Sequence, residues 1–258
     1  MFDIGKRIAV GDATLYVSEA GKADGEPIVL LHGGLGSRND FLPLAKLLMT
    51  NYRLIAIDSR GHGRSTLGEV TELTYQLLEQ DFTKVLAELG LLNAGIIGYS
   101  DGGIAALRLA ACGNARPQFV AVFGTHWQMP DFEPTREIYQ RITLEKWKTI
   151  FHKQISDYEA ENPAPDFARL FDVTKSMWLG NDYKSYPGPS VRLITCPLLV
   201  IHGDEDFLVS REQAYGLVEQ VTGARLLNLP FGSHTIIEDC PEDIISSLKI
   251  FITNLNQQ

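Results

Sequence analysis

Three short apolar runs, Pro27-Ile-Val-Leu-Leu31, Arg53-Leu-Ile-Ala-Ile57 and Gly95-Ile-Ile-Gly-Tyr99, constrain this chain more than any other feature. Their apolar residues are continuous rather than alternating, so they read as strands covered on both faces, the condition of a parallel sheet between two helical layers. Each ends in a polar, glycine-rich loop. Between them lie runs with apolar residues at helical spacing, Asp40 to Met49 and Leu73 to Leu89, the second stopped by Gly90. Ala13-Thr-Leu-Tyr-Val17 adds an early antiparallel strand, and a small-residue helix from Ser100 to Cys112 leads to a strand at Phe119-Val-Ala-Val-Phe123. The pattern is βαβ repeated.

From Thr125 to Ser190 the regularity breaks. This quarter of the chain holds all three Trp and 11 of the 24 aromatic residues, with helical patches at Arg136 to Ile155 and Asp166 to Leu179 between proline-rich edges. The rings either glue the segment to the body or line a pocket. The α/β pattern then resumes with Pro197-Leu-Leu-Val-Ile201, a helix at Ser210 to Val221, a strand at Ala224 to Leu229 and a last helix from Pro241 to Leu255. The expected organisation is an α/β core of residues 1–124 and 191–258, interrupted by a helical insertion at 125–190. A length of 258 residues suits one large domain with an insertion.

Composition narrows the partners. Lys+Arg total 23 against 32 Asp+Glu, a net charge of −9, which disfavours nucleic acid and anionic lipid. No run reaches the roughly 18 apolar residues of a membrane helix, and the first residues lack a basic, then apolar, leader. Cys112, Cys196 and Cys240 are odd in number and lack CxxC spacing, against a disulfide framework or a zinc site. The expectation is a soluble cytoplasmic protein acting on a small molecule, with no cofactor, metal, nucleic-acid or membrane partner.

Gly98-Tyr99-Ser100-Asp101-Gly102 carries the chemistry. It fits G-x-S-x-G, a turn that forces a serine out between a strand and a helix. Chance would place such a triplet in roughly one chain in ten of this composition, so the pattern alone is weak. Its context is stronger, since a β-run ends at it and a helical run rich in Gly and Ala leaves it. A serine hydroxyl needs a base, commonly a histidine oriented by a carboxylate. Of six histidines, His234 lies in the loop after the last strand. The acid is expected after the preceding strand, where Asp204, Glu205 and Asp206 compete; the spacing Gly203-x-x-Asp206 favours Asp206, with Asp204 next. His32-Gly33-Gly34-Leu35-Gly36 can bend so that the Gly34 N–H stabilises an oxyanion, with the Asp101 N–H as second donor. His202, Asp204, Asp206 and His234 do not make a convincing metal ligand set.

Taken in order, His32-Gly33-Gly34, the Asp58-Ser-Arg60-Gly61-His-Gly63-Arg-Ser65 turn, the elbow at Ser100, the acid loop at Asp206 and His234 resemble the landmarks of the α/β-hydrolase fold with a cap. The resemblance covers nearly the whole chain and implies a mostly parallel central sheet with helices on both faces and a helical cap insertion. It gives the Asp58 to Ser65 turn a structural role only. Ser100 departs from the aspartate nucleophile of epoxide hydrolases and haloalkane dehalogenases, and Asp101 from the methionine usual in carbon–carbon hydrolases. Ser100-Asp101-Gly102-Gly103 is most similar to the valacyclovir-hydrolase (biphenyl-hydrolase-like) group, where the acid beside the nucleophile is taken to favour α-amino acid esters. Asp101 then either binds a substrate ammonium or only complements the helix N-terminus. The function expected is hydrolysis of a small carboxylic ester through an acyl-enzyme. Perhydrolysis, carbon–carbon cleavage and non-catalytic ligand binding are the alternatives.

Overall fold

The computed structural model describes residues 1–255. In it the apolar runs pair into one eight-stranded sheet. In chain order the strands are β1 (Gly5–Val10), β2 (Ala13–Gly21), β3 (Glu26–Leu31), β4 (Tyr52–Ile57), β5 (Gly95–Tyr99), β6 (Val120–Phe123), β7 (Leu198–Gly203) and β8 (Arg225–Leu229). They lie side by side as β1-β2-β4-β3-β5-β6-β7-β8. β2 runs antiparallel to both neighbours, and every pairing from β4 onward is parallel. β1 carried no apolar run to announce it: only Ile8 and Val10 of its six residues are buried, as suits an edge strand.

The helices are α1 (Leu42–Leu48), α2 (Tyr75–Leu89), α3 (Asp101–Cys112), α4 (Pro134–Arg141), α5 (Leu144–Ile150), α6 (His152–Glu161), α7 (Phe167–Trp178), α8 (Arg211–Gln220), α9 (Ile236–Asp239) and α10 (Pro241–Leu255). The period-2 geometry of a strand sorts the core into two layers. Ile28, Leu30, Leu54, Ala56, Ala121 and Phe123 face one side, with Leu44 and Leu48 of α1 and Ile245 and Leu248 of α10. Val29, Leu31, Ile55, Ile57, Val120 and Val122 face the other, with Phe82 and Val85 of α2, Leu107 of α3 and Leu217 of α8. Each large side chain so buried contributes about 1.5–3 kcal/mol. None of the described helices is long and apolar enough to cross a membrane.

Helices α4 to α7 all fall between β6 and β7. The helical patch expected from Arg136 to Ile155 is broken at Thr143, whose hydroxyl caps α5, and again at Phe151. The segment is tied to the core largely through backbone. Asn162 Nδ2 donates to the carbonyls of Gly61, Gly63 and Ser65 at 2.9–3.2 Å. Arg169 donates to those of Gly68 and Val70. Behind this turn Arg38 is buried, paired with Asp58 at 2.8 Å and with Glu161 of α6 at 2.8 Å. Asp58 also accepts the Arg38 and Arg64 N–H groups, which holds the Asp58–Ser65 turn rigid.

Candidate active site

Ser100 stands where β5 turns into α3, with φ 50° and ψ −116°. For a residue with a Cβ this backbone costs about 1–3 kcal/mol, and the surroundings enforce it. Strand and helix touch at the turn: a Cβ on Gly98 would lie 2.6 Å from the Gly102 oxygen, and one on Gly102 would run into the Leu31 carbonyl. The Ser100 N–H donates to the Phe123 carbonyl of β6 at 2.9 Å. Its hydroxyl makes no capping bond to α3, so it remains available to other partners.

The partner is His234, from the loop after β8. Its Nε2 lies 3.2 Å from Ser100 Oγ, and its Nδ1 lies 2.9 Å from Oδ2 of Asp206, which comes from the loop after β7. The Asp206 side chain has no exposed surface, and its Oδ1 accepts the N–H groups of Leu208 and Val209 at 2.8 and 2.9 Å. Burial pushes this carboxyl up, but the His234 hydrogen bond and charge, with the two amides, outweigh it and hold Asp206 below its ordinary value. An ionised Asp206 takes the Nδ1–H, leaving the Nε2 lone pair aimed at the serine hydroxyl. Tyr99 and Phe207 flank the imidazole at ring distances of 5.4 and 6.4 Å.

Asp204 is not brought to His234. It accepts from Asn228 at 3.1 Å and pairs with Arg211 at 2.7 Å. His202 is turned away as well, between Asn228 and the Val209 carbonyl. Among the described residues no three His, Cys, Asp or Glu side chains converge to hold a metal ion.

Gly34 lies across from the elbow. Its placement depends on His32, whose role no local sequence signal announces. His32 Nε2 accepts the Ser59 N–H at 2.9 Å, so the ring proton is on Nδ1 and is donated to the Gly33 carbonyl at 2.7 Å. Because a trans peptide is planar, turning the Gly33 carbonyl toward His32 turns the Gly34 N–H the opposite way. Burial pulls the imidazole down to about 4, so it stays neutral and keeps this tautomer at neutral pH. A Cβ on Gly34 would collide with Oδ2 of Asp101 and approach Trp178 at 2.8 Å. As first residue of α3, Asp101 has no helix carbonyl four residues back for its own N–H.

The Asp101 carboxylate does not turn back onto its helix. It is 5% exposed and accepts from the Tyr75 hydroxyl at 2.8 Å and from the Trp178 indole N–H at 2.8 and 3.0 Å. No ion pair among the described residues includes it. Burial pushes its carboxyl up, and the Trp178 and Tyr75 hydrogen bonds offset this only in part. Tyr139 stacks on Trp178 at 4.8 Å and Tyr186 lies 5.0 Å from Tyr75, enclosing the carboxylate in rings. Neither Tyr75 nor Trp178 had a local sequence signal: one opens α2 as a core aromatic would, the other is one ring among eleven.

The sequence matches the alpha/beta hydrolase family over residues 28–246. Serine hydrolase BPHL of Mus musculus is 29% identical over 240 residues, covering 89% of this chain and 80% of that one. Among solved structures, an esterase from Exiguobacterium antarcticum superposes with a TM-score of 0.78 at 22% identity, covering 97% of this chain and all of the other. The meta-cleavage product hydrolase of Pseudomonas fluorescens IP01 gives 0.81 at 19% identity, covering 97% and 98%. At these identities the superpositions speak for the fold.

Proposed function

The chain belongs to the alpha/beta hydrolase family, and from that premise we propose that it is a serine hydrolase of small carboxylic esters, with α-amino acid esters as the favoured class. The observation that carries this reading is the hydrogen-bonded row Ser100–His234–Asp206, with one imidazole reaching both side chains. In the reaction His234 Nε2 takes the proton as Ser100 Oγ attacks the ester carbonyl carbon. The N–H groups of Gly34 and Asp101 receive the charge that develops on the carbonyl oxygen. The C–O bond breaks, His234 returns the proton to the departing alcohol, and water releases the acid from the acyl-enzyme by the same steps. Asp206 holds the imidazole in its tautomer and stabilises its cationic form.

The α-amino preference rests on Asp101, a carboxylate beside the nucleophile with no counter-ion among the described residues, and on the resemblance of Ser100-Asp101-Gly102-Gly103 to the valacyclovir-hydrolase group. The test is the hydrolysis of an α-aminoacyl ester and its N-acetylated twin by wild type and by Ser100→Ala. Loss of both rates in the variant supports the nucleophile, and faster turnover of the free amine supports the substrate class. Substantial activity in Ser100→Ala overturns the mechanism.

A further inference from the structure

We propose that Tyr75 and Trp178 are positioning residues that hold Asp101 as a free carboxylate against the acyl site, so that the enzyme selects aminoacyl over neutral esters in kcat. This rests on the ester-hydrolase reading above and extends it. Oδ2 of Asp101 packs on the Cα of Gly34, whose N–H is the oxyanion donor in that reading. A negative charge there opposes the negative charge that forms on the carbonyl oxygen, and in a water-poor site the opposition is weakly screened. A neutral ester meets it in the transition state. An ammonium on the carbon next to the carbonyl cancels it, and the benefit grows as the oxyanion forms, so it is expressed in kcat rather than KM.

The device needs a carboxylate that is stabilised but not neutralised. Lys or Arg would pair with Asp101 and remove its charge. The phenol of Tyr75 and the indole N–H of Trp178 are neutral donors that favour the ionised form and leave its charge in place. Two donors do not exhaust the roughly four acceptor positions of a carboxylate. The titratable groups around Asp101 come from six other elements: Tyr75 of α2, Tyr99 of β5, Tyr139 of α4, Tyr186 before β7, His126 after β6 and His234 before α9. Burial pushes all four phenols up, so they remain neutral around it.

The experiment measures kcat and KM for the aminoacyl ester and its N-acetyl twin from neutral pH down to the point where the wild-type preference falls, in wild type, Tyr75→Phe and Trp178→Phe. Turnover of the N-acetyl ester reports an intact triad in each variant. Wild type is expected to favour the free amine through kcat, and to lose that preference on acidification as Asp101 protonates. In both variants the loss moves to higher pH by about one unit, a tenfold smaller preference on the slope. Dividing variant by wild type at each pH removes the substrate's own titration. If wild type prefers the amine and both variants, active on the N-acetyl ester, keep that preference over the whole range, the inference is overturned. If wild type itself shows no preference while Ser100→Ala is inactive, the aminoacyl reading falls, and the inference with it, while the esterase mechanism stands.

Discussion

Arg38 and Asp58 meet at 2.8 Å with neither side chain exposed, four residues downstream of Gly34 and at the head of the turn that the inserted helices grip. Removing Asp58 leaves the buried Arg38 guanidinium with only the partly exposed Glu161 as an ionic partner among the described residues. Asp58→Ala is therefore expected to cost about 3–5 kcal/mol in urea unfolding, and Arg38→Met combined with Asp58→Leu to cost less than that single change. A double variant no more stable than Asp58→Ala would place the cost in the lost Arg38 and Arg64 amide bonds instead.

Asp101→Asn should make the protein more stable at neutral pH while reducing its preference for aminoacyl esters. Both donors reach Oδ1, so an amide oxygen there keeps them. With its folded-state value raised, the ionised Asp101 costs stability above the unfolded carboxyl value of about 3.9 and nothing well below it. The stability advantage of the variant should shrink toward zero as pH falls through that value. An advantage that does not change with pH would contradict this origin.

Ser100→Gly and Ser100→Ala both remove the nucleophile, but only glycine also relieves the positive φ. We expect Ser100→Gly to be the more stable of the two by about 1 kcal/mol in thermal or urea unfolding.

His32→Phe should lower kcat about 10- to 100-fold with little change in KM, because the Gly33–Gly34 peptide loses the donor that orients it. Its pH dependence is a second check. Wild-type His32, neutral in the fold down to about 4, withholds a proton that the unfolded chain binds below about 6.5, so it costs stability as pH falls from 6.5 toward 4. The variant should lose stability less steeply across that window.

The readability of the sequence followed the range of the interactions involved. Strands covered on both faces were visible as continuous apolar runs, and the elbow was visible because strand, small residues and helix are neighbours in the chain. The spacing Gly203-x-x-Asp206 favours Asp206 over Asp204, and in the fold it is Asp206 that reaches His234 while Asp204 pairs with Arg211. β1 leaves no such mark, since an edge strand with two buried residues has almost no apolar pattern. Tyr75 and Trp178 reach Asp101 across 26 and 77 residues of chain, and nothing in either local sequence separates a hydrogen-bonding ring from a packing one.

The attachment of α6 and α7 by Asn162 and Arg169 has a consequence for how such proteins diversify. Both side chains grip carbonyl oxygens, which every amino acid supplies equally. The turn beneath can change its side chains without loosening the grip, provided its path is kept. Two anchor residues thus leave much of the segment between β6 and β7 open to drift in composition while its hold on these loops stays fixed.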